Sequence, residues 1–181
     1  MSEVWVKRSP KGPVTMRLAA KEDFAAIIDI DNLVSKANKW FPLIDTHLSD
    51  YINKKQVYVA VFNGEIIGFA IYYDKDEARY YVRAAVLHNF RGLKIYSAFV
   101  LLRMLKSRKR VFVPLLEPHS LLSEIAERLR FNIEKSESNI KFLLVDHDFS
   151  VKIRIPDSVS SDYADNSILQ LLKEDGWHPT D

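Results

Sequence analysis

The 181-residue sequence contains no cysteine. Disulfide bridges and thiolate metal sites are thereby excluded, and the redox state of the compartment is left open. An excess of either charge is also missing, with 26 Lys and Arg against 24 Asp and Glu. That balance gives no global field toward nucleic acid or a membrane, although a local patch is still allowed. No apolar run approaches membrane-spanning length, and the opening MSEVWVKRSPKGPV lacks the apolar stretch of a signal peptide. No internal repeat or low-complexity tract interrupts the chain. What is present is 48% hydrophobic residues, enough for one globular domain with a sizeable core and an appendage. The expectation is a soluble, intracellular protein, placed in the cytoplasm.

Hydrophobic spacing predicts the elements. After the Pro/Gly-containing SPKGP, VTMRLA reads as a short first strand. In the following AAKEDFAAIIDIDNLVSKA, Glu22 and Asp23 fall in a first helical turn, and Phe24, Ile27, Ile28 and Val34 recur at helical spacing. A proline break in KWFPLIDTHLSDYI predicts a second, shorter helix from about Asp45. VYVAVF and EIIGFAIYY flank Asn63-Gly64, the preferred pair for a type I′ hairpin, and Gly68 suggests a bulge or a close backbone approach. ARYYVRAAVL adds a third strand to this antiparallel meander. IYSAFVLLRMLKSR is a helix, VFVPLL an apolar strand, and HSLLSEIAERLRF a helix with Leu122, Ile125, Ala126 and Leu129 on one stripe. IKFLLVD is expected as a final core strand, with FSVKIRI as a candidate for one more. The fold class predicted is α/β (α+β), a mixed sheet with a central antiparallel meander flanked by helices. Residues 1–13 are assigned to an N-terminal extension, 14–148 to the domain, and 149–181 to a strand, linker and short helix appendage. The apolar Ile168, Leu169, Leu171 and Leu172 make a helix too short to stand alone. It is expected on its own domain, on a second copy or on a partner, with a slight lean to the latter two.

Between the third meander strand and its helix lies VLHNFRGLKIY. This element order, with VLHNFRG closing the meander, resembles the GCN5-related N-acetyltransferase (GNAT) superfamily over residues 14–146. The resemblance implies a loop of pattern Q/R-x-x-G-x-G/A whose N–H groups and following helix N-terminus hold the acetyl-coenzyme A pyrophosphate. On that basis the cofactor-binding residues are Val86, Leu87, Arg91, Gly92, Leu93, Lys94, Ile95 and Tyr96. The motif is partly kept. Arg91 matches its first position and Gly92 is the added glycine after it, but Lys94 replaces the first motif glycine and Tyr96 the final Gly/Ala. A Cβ at either place intrudes on the phosphates, whereas the Lys94 ammonium is itself a phosphate partner.

The resemblance also implies a glutamate on the strand before the loop and a tyrosine in the last helix. This strand carries Tyr80, Tyr81 and Arg83 but no carboxylate, and Ala126 stands where the tyrosine is expected. The substitutes are His88 as a neutral imidazole base and Tyr80 or Tyr81 as a phenol. The tyrosines alternate across the strand, so one belongs to the core and one to a cleft or solvent. Glu117 and His119 are further candidates at the next strand's end. Asp146-His147-Asp148 reads as a polar turn rather than a ligand set, because consecutive strand residues point to opposite faces, and no metal site is expected. The basic run KSRKR, residues 106–110, reads as a solvated helix cap that leaves nucleic acid open. Two functions follow from the resemblance. One is transfer of an acetyl or acyl group from acyl-coenzyme A to an amine. The other is a catalytically silent GNAT-like module in a larger protein assembly, and a homo-oligomer fits either.

Overall fold

The computed structural model describes residues 4–39, 42–43, 45–114, 119–130, 132–142 and 145–180. It divides into two units, one comprising the chain up to Ile71, Ala84–Phe99 and the chain from Leu172, the other Tyr72–Arg83 and Val100–Leu171.

The first unit begins with strands β1 (Trp5–Ser9) and β2 (Gly12–Leu18), paired antiparallel from Trp5↔Met16 to Ser9↔Gly12. Residues 5–9, expected within a lead-in, are thus a strand, and alternate residues Val14 and Met16 of β2 are fully buried. Helices α1 (Phe24–Asn38) and α2 (Asp45–Asn53) follow, burying Ile27 and Ile30, and Leu48 and Ile52. Strand β3 (Val57–Phe62) pairs antiparallel with β2 and with β4 (Glu65–Lys75). The β3–β4 turn is Asn63-Gly64, with φ of 50° and 83°, as a type I′ hairpin requires. Strand β9 (Trp177–Pro179) pairs antiparallel with the other side of β1. The end of β5 (Ala78–Val86) lies beside β4, so this unit orders its strands β9-β1-β2-β3-β4-β5.

Gly68 fulfils both sequence expectations. The β3–β4 register shifts from Ala60↔Gly68 to Val61↔Ile66, which leaves Ile67 as an extra residue on β4 beside Gly68. A Cβ built on Gly68 would stand 2.8 Å from the Ala85 carbonyl oxygen, so only glycine lets β4 and β5 approach this closely.

In the second unit β5 pairs in parallel with β6 (Val111–Pro114), and β6 pairs antiparallel with β8 (Val145–Arg154). Strand β7 (Asn132–Phe142) completes the order β5-β6-β8-β7 and makes the sheet mixed. Strand β7 begins at Asn132, ahead of the expected strand IKFLLVD, and is paired from Asn132↔Arg154 with a register shift between Lys135 and Ser138. Helix α3 (Ile95–Met104), whose residues to Phe99 belong to the first unit and from Val100 to the second, is buried almost all round, and α4 (His119–Leu129) buries Ile125, Ala126 and Leu129, three of the four residues of its expected stripe. The side chain of the fourth, Leu122, lies outside the described residues.

The tail corrects the lean toward intermolecular packing. Helix α5 (Ser161–Glu174) turns Ala164, Ile168, Leu171 and Leu172 inward, all at 5% exposure or less within the single chain. Its apolar face is therefore satisfied by its own chain. Among the described residues no helix is long and apolar enough to cross a membrane.

Candidate functional site

Strand β5 delivers the chain to the loop of interest. Val86 is buried at its end, and the Leu87 N–H donates to the Ile67 carbonyl at 2.8 Å, the last tie to β4. A short helical turn, His88–Phe90, follows; the Phe90 N–H bonds to Leu87 C=O and the Arg91 N–H to His88 C=O. Gly92 and Lys94 then both take positive φ, 83° and 61°. The first bond of α3 runs from the Ala98 N–H to the Lys94 carbonyl at 3.0 Å. The N–H groups ahead of Ala98 belong to a helix start, where no intrahelical acceptor exists. Positive φ on alternate residues followed by a helix N-terminus is an anion-receiving arrangement of backbone donors. Lys94 thus occupies the left-handed conformation that a motif glycine would supply, despite its Cβ.

Charge collects on the same side. Arg91 and Lys94 are exposed, and Ile95 is buried beneath them. Lys7 of β1 has its pKa lowered, first by burial and further by the nearby Lys94 charge, against the opposing pull of Asp175. Its ammonium donates to the Asp175 carbonyl at 2.6 Å. Lys11, in the β1–β2 turn, donates to the Asn89 carbonyl and lies 5.1 Å from the Phe90 ring centroid. Phe90 in turn packs on Phe62 at 5.1 Å between centroids. Lys7 and Lys11 were not among the residues expected here. The signal was present, since Pro10-Lys11-Gly12 separates two strand-like runs and marks a hairpin, but which loop that hairpin reaches is a tertiary fact.

Tyr96 sits half-buried in the first turn of α3, and its phenol donates to the Ala84 carbonyl at 3.0 Å. The ring is therefore folded back along β5 rather than swung into solvent. Leu93 is half-buried in the loop.

The catalytic candidates fall in different units. His88 is exposed in the turn before the loop, in the first unit. Tyr80 and Tyr81 belong to the second. Tyr80 is half-buried and stacks on Tyr73 at 5.0 Å and 11°. Tyr81 is the core member of the pair: it is fully buried, its hydroxyl is 3.4 Å from the Val100 carbonyl, and the Arg103 guanidinium lies 4.1 Å from its ring centroid. Glu117, the side chain of His119 and those of Asp146, His147 and Asp148 lie outside the described residues. The basic run 106–110 is partly consumed by structure. Lys109 donates to the Asp76 carbonyl, and Arg110 donates to the carbonyls of Pro156 and Val159 at 2.8 and 3.0 Å.

No protein-family model and no curated protein matches this sequence. Solved structures do. The chain is similar to the diaminobutyrate acetyltransferase EctA of Paenibacillus lautus, solved with its substrate L-2,4-diaminobutyric acid and coenzyme A. There the TM-score is 0.63 at 16% identity, covering 81% of this chain and 96% of that one. It is also similar to a chain of the NatC complex bound to Gag peptide and coenzyme A, with TM-score 0.60 and 16% identity over 79% and 99% of the two chains. RimJ of Mycobacterium smegmatis, in complex with coenzyme A-disulfide, matches at TM-score 0.56 and 13% identity, covering 99% of this chain and 98% of that one.

Proposed function

From the GCN5-related N-acetyltransferase fold that this chain has, we propose that it is an N-acyltransferase, moving an acetyl or other acyl group from acyl-coenzyme A to an amine. The observation that carries this reading is the loop: Gly92 and Lys94 keep the paired positive-φ conformation at the start of α3 although one of them is not glycine.

In this reading the backbone of Arg91, Gly92, Leu93, Lys94, Ile95 and Tyr96 surrounds the pyrophosphate, with Val86 and Leu87 leading in. Loop N–H groups supply the donors and Lys94 and Lys7 the charge. Bound acyl-coenzyme A supplies an activated thioester carbonyl. Orientation by β5 then provides much of the rate, since a held amine and carbonyl react as one molecule. His88, in the same unit as the loop, is the group proposed to take or give a proton. The similar structures bind a diamino acid in one case and a peptide in another, so the acceptor class proposed is a primary amine of either kind. A cytoplasmic setting, where acyl-coenzyme A is made and used, fits this reading.

A second reading is a silent GNAT-like module within an assembly. It is favoured by Ala126, fully buried on α4 where a tyrosine was expected, together with the lack of a carboxylate on β5. Acetyl-coenzyme A titration followed by a free-thiol assay against a panel of amines separates them. Binding with amine-dependent thiol release is expected. Binding without release from any amine would favour the second reading.

A further inference from the structure

Backbone polar groups alternate in direction along a strand. On β5 the Ala85 carbonyl lies toward β4, beside Gly68, and the Leu87 N–H donates to Ile67 of β4. Ala84 and Val86 therefore present their N–H and C=O groups to the opposite edge. The register of β5 with β6 runs from Ala78 to Tyr81 among the described residues, and Ala84 lies beyond it. A strand edge of this kind is a template for any extended chain that carries amides. The pantetheine arm of acyl-coenzyme A is such a chain. One acceptor on this edge is already taken, because the Tyr96 phenol donates to Ala84 C=O at 3.0 Å.

We propose that Tyr96 sets the affinity for acyl-coenzyme A by competing with an amide of its pantetheine arm for the Ala84 carbonyl. The inference rests on the acyl-coenzyme A reading above and adds a residue that opposes binding. In the arrangement described here the phenol occupies the acceptor. The arm enters when Tyr96 leaves Ala84, so apparent affinity is the intrinsic affinity scaled by the open fraction. A group that holds its place by one hydrogen bond biases that fraction by about threefold to tenfold. The ring adds to this by volume.

The test is calorimetric titration of coenzyme A into the full chain and into Tyr96→Phe and Tyr96→Ala. Both variants keep a helix-compatible residue, and their fold is checked by circular dichroism. Tyr96→Phe should bind about threefold to tenfold tighter and Tyr96→Ala tighter still. In the wild type labelled with 13C-tyrosine, the ring resonance missing from Tyr96→Phe should shift on addition of coenzyme A. A wild type that does not bind beside variants that do supports the proposal in its strongest form. Equal affinities in all three proteins overturn the competition and leave the acyl-coenzyme A reading standing. Weaker binding by the variants overturns it too, because Tyr96 would then be a contact for the ligand. No binding by any of the three folded proteins overturns the reading itself, and the competition with it.

Discussion

Lys94 holds φ at 61°, where a residue with a Cβ costs about 1–2 kcal/mol and glycine does not. Glycine gives back part of that gain in the entropy of the unfolded chain. Lys94→Gly should therefore stabilise the fold by about 0.5–1 kcal/mol in urea unfolding. Lys94→Ala keeps the strain and loses the charge, so it should weaken coenzyme A binding without stabilising the protein. If binding is unchanged in Lys94→Ala, the backbone alone carries the phosphate site. This residue also shows what the sequence could and could not reveal. The departure from glycine was visible in RGLKIY, and so was the ammonium as a phosphate partner. The retained positive φ was not, because a lysine gives no local signal for the left-handed region. Tyr96 was legible in the same partial way. Its bulk was evident, but not which of two directions the ring takes, since that depends on an acceptor twelve residues upstream on another element.

At the level of elements, the meander was legible because its turn chemistry is local. Asn63-Gly64 fixes a hairpin, and Gly68 marks the place where β4 meets β5. Gly68→Ala would set a methyl 2.8 Å from a backbone oxygen that cannot move freely. A loss of about 1–3 kcal/mol is expected, read as a lower urea midpoint at unchanged slope. The start of α1 was legible from Glu22 and Asp23, but the reason lies in pairing. Asp23 accepts the Ala20 N–H at 2.8 Å and both Arg17 guanidinium nitrogens at 2.6 and 3.0 Å. Burial works to raise the Asp23 carboxyl, yet those bonds outweigh it and hold its pKa below the ordinary 3.8. A carboxylate with a depressed pKa stabilises the fold above its ordinary value and loses that contribution as pH falls through the folded one. Asp23→Asn should therefore destabilise the protein near neutrality by about 1–3 kcal/mol and flatten its stability profile below pH ~4. A variant with the wild-type acid slope would remove Asp23 as a source of it. Strand β1 escaped sequence reading because WVKRS is short and charged, and its strand character depends on partners at both ends of the chain.

On the scale of the whole molecule, the tail decides how much of the chain is needed for a stable fold. As sequence, SSDYADNS followed by ILQLLKEDGW allowed packing on its own domain, on a second copy or on a partner, with a slight lean to the latter two. In the structure, Ile168 and Leu172 are fully buried, Leu171 nearly so, and Trp177 is fully buried in the strand that pairs with β1. The misreading has a physical origin. An amphipathic helix behind a polar linker has the same pattern whether its apolar face meets its own chain or another one. Each buried aliphatic side chain contributes about 1.5–3 kcal/mol, and the total stability of a domain is only about 5–15 kcal/mol. Truncation after Ser158 should accordingly remove most of the cooperative unfolding transition. Because so severe a change can end in aggregation, Leu172→Ala is the sharper test. It leaves a cavity in a fully buried place and should cost about 2–5 kcal/mol, lowering the melting temperature by several degrees, while the mass by light scattering stays that of the wild type. The opposite outcome, an altered mass with an unaltered melting temperature, would mean that α5 stabilises an assembly in solution and not its own chain.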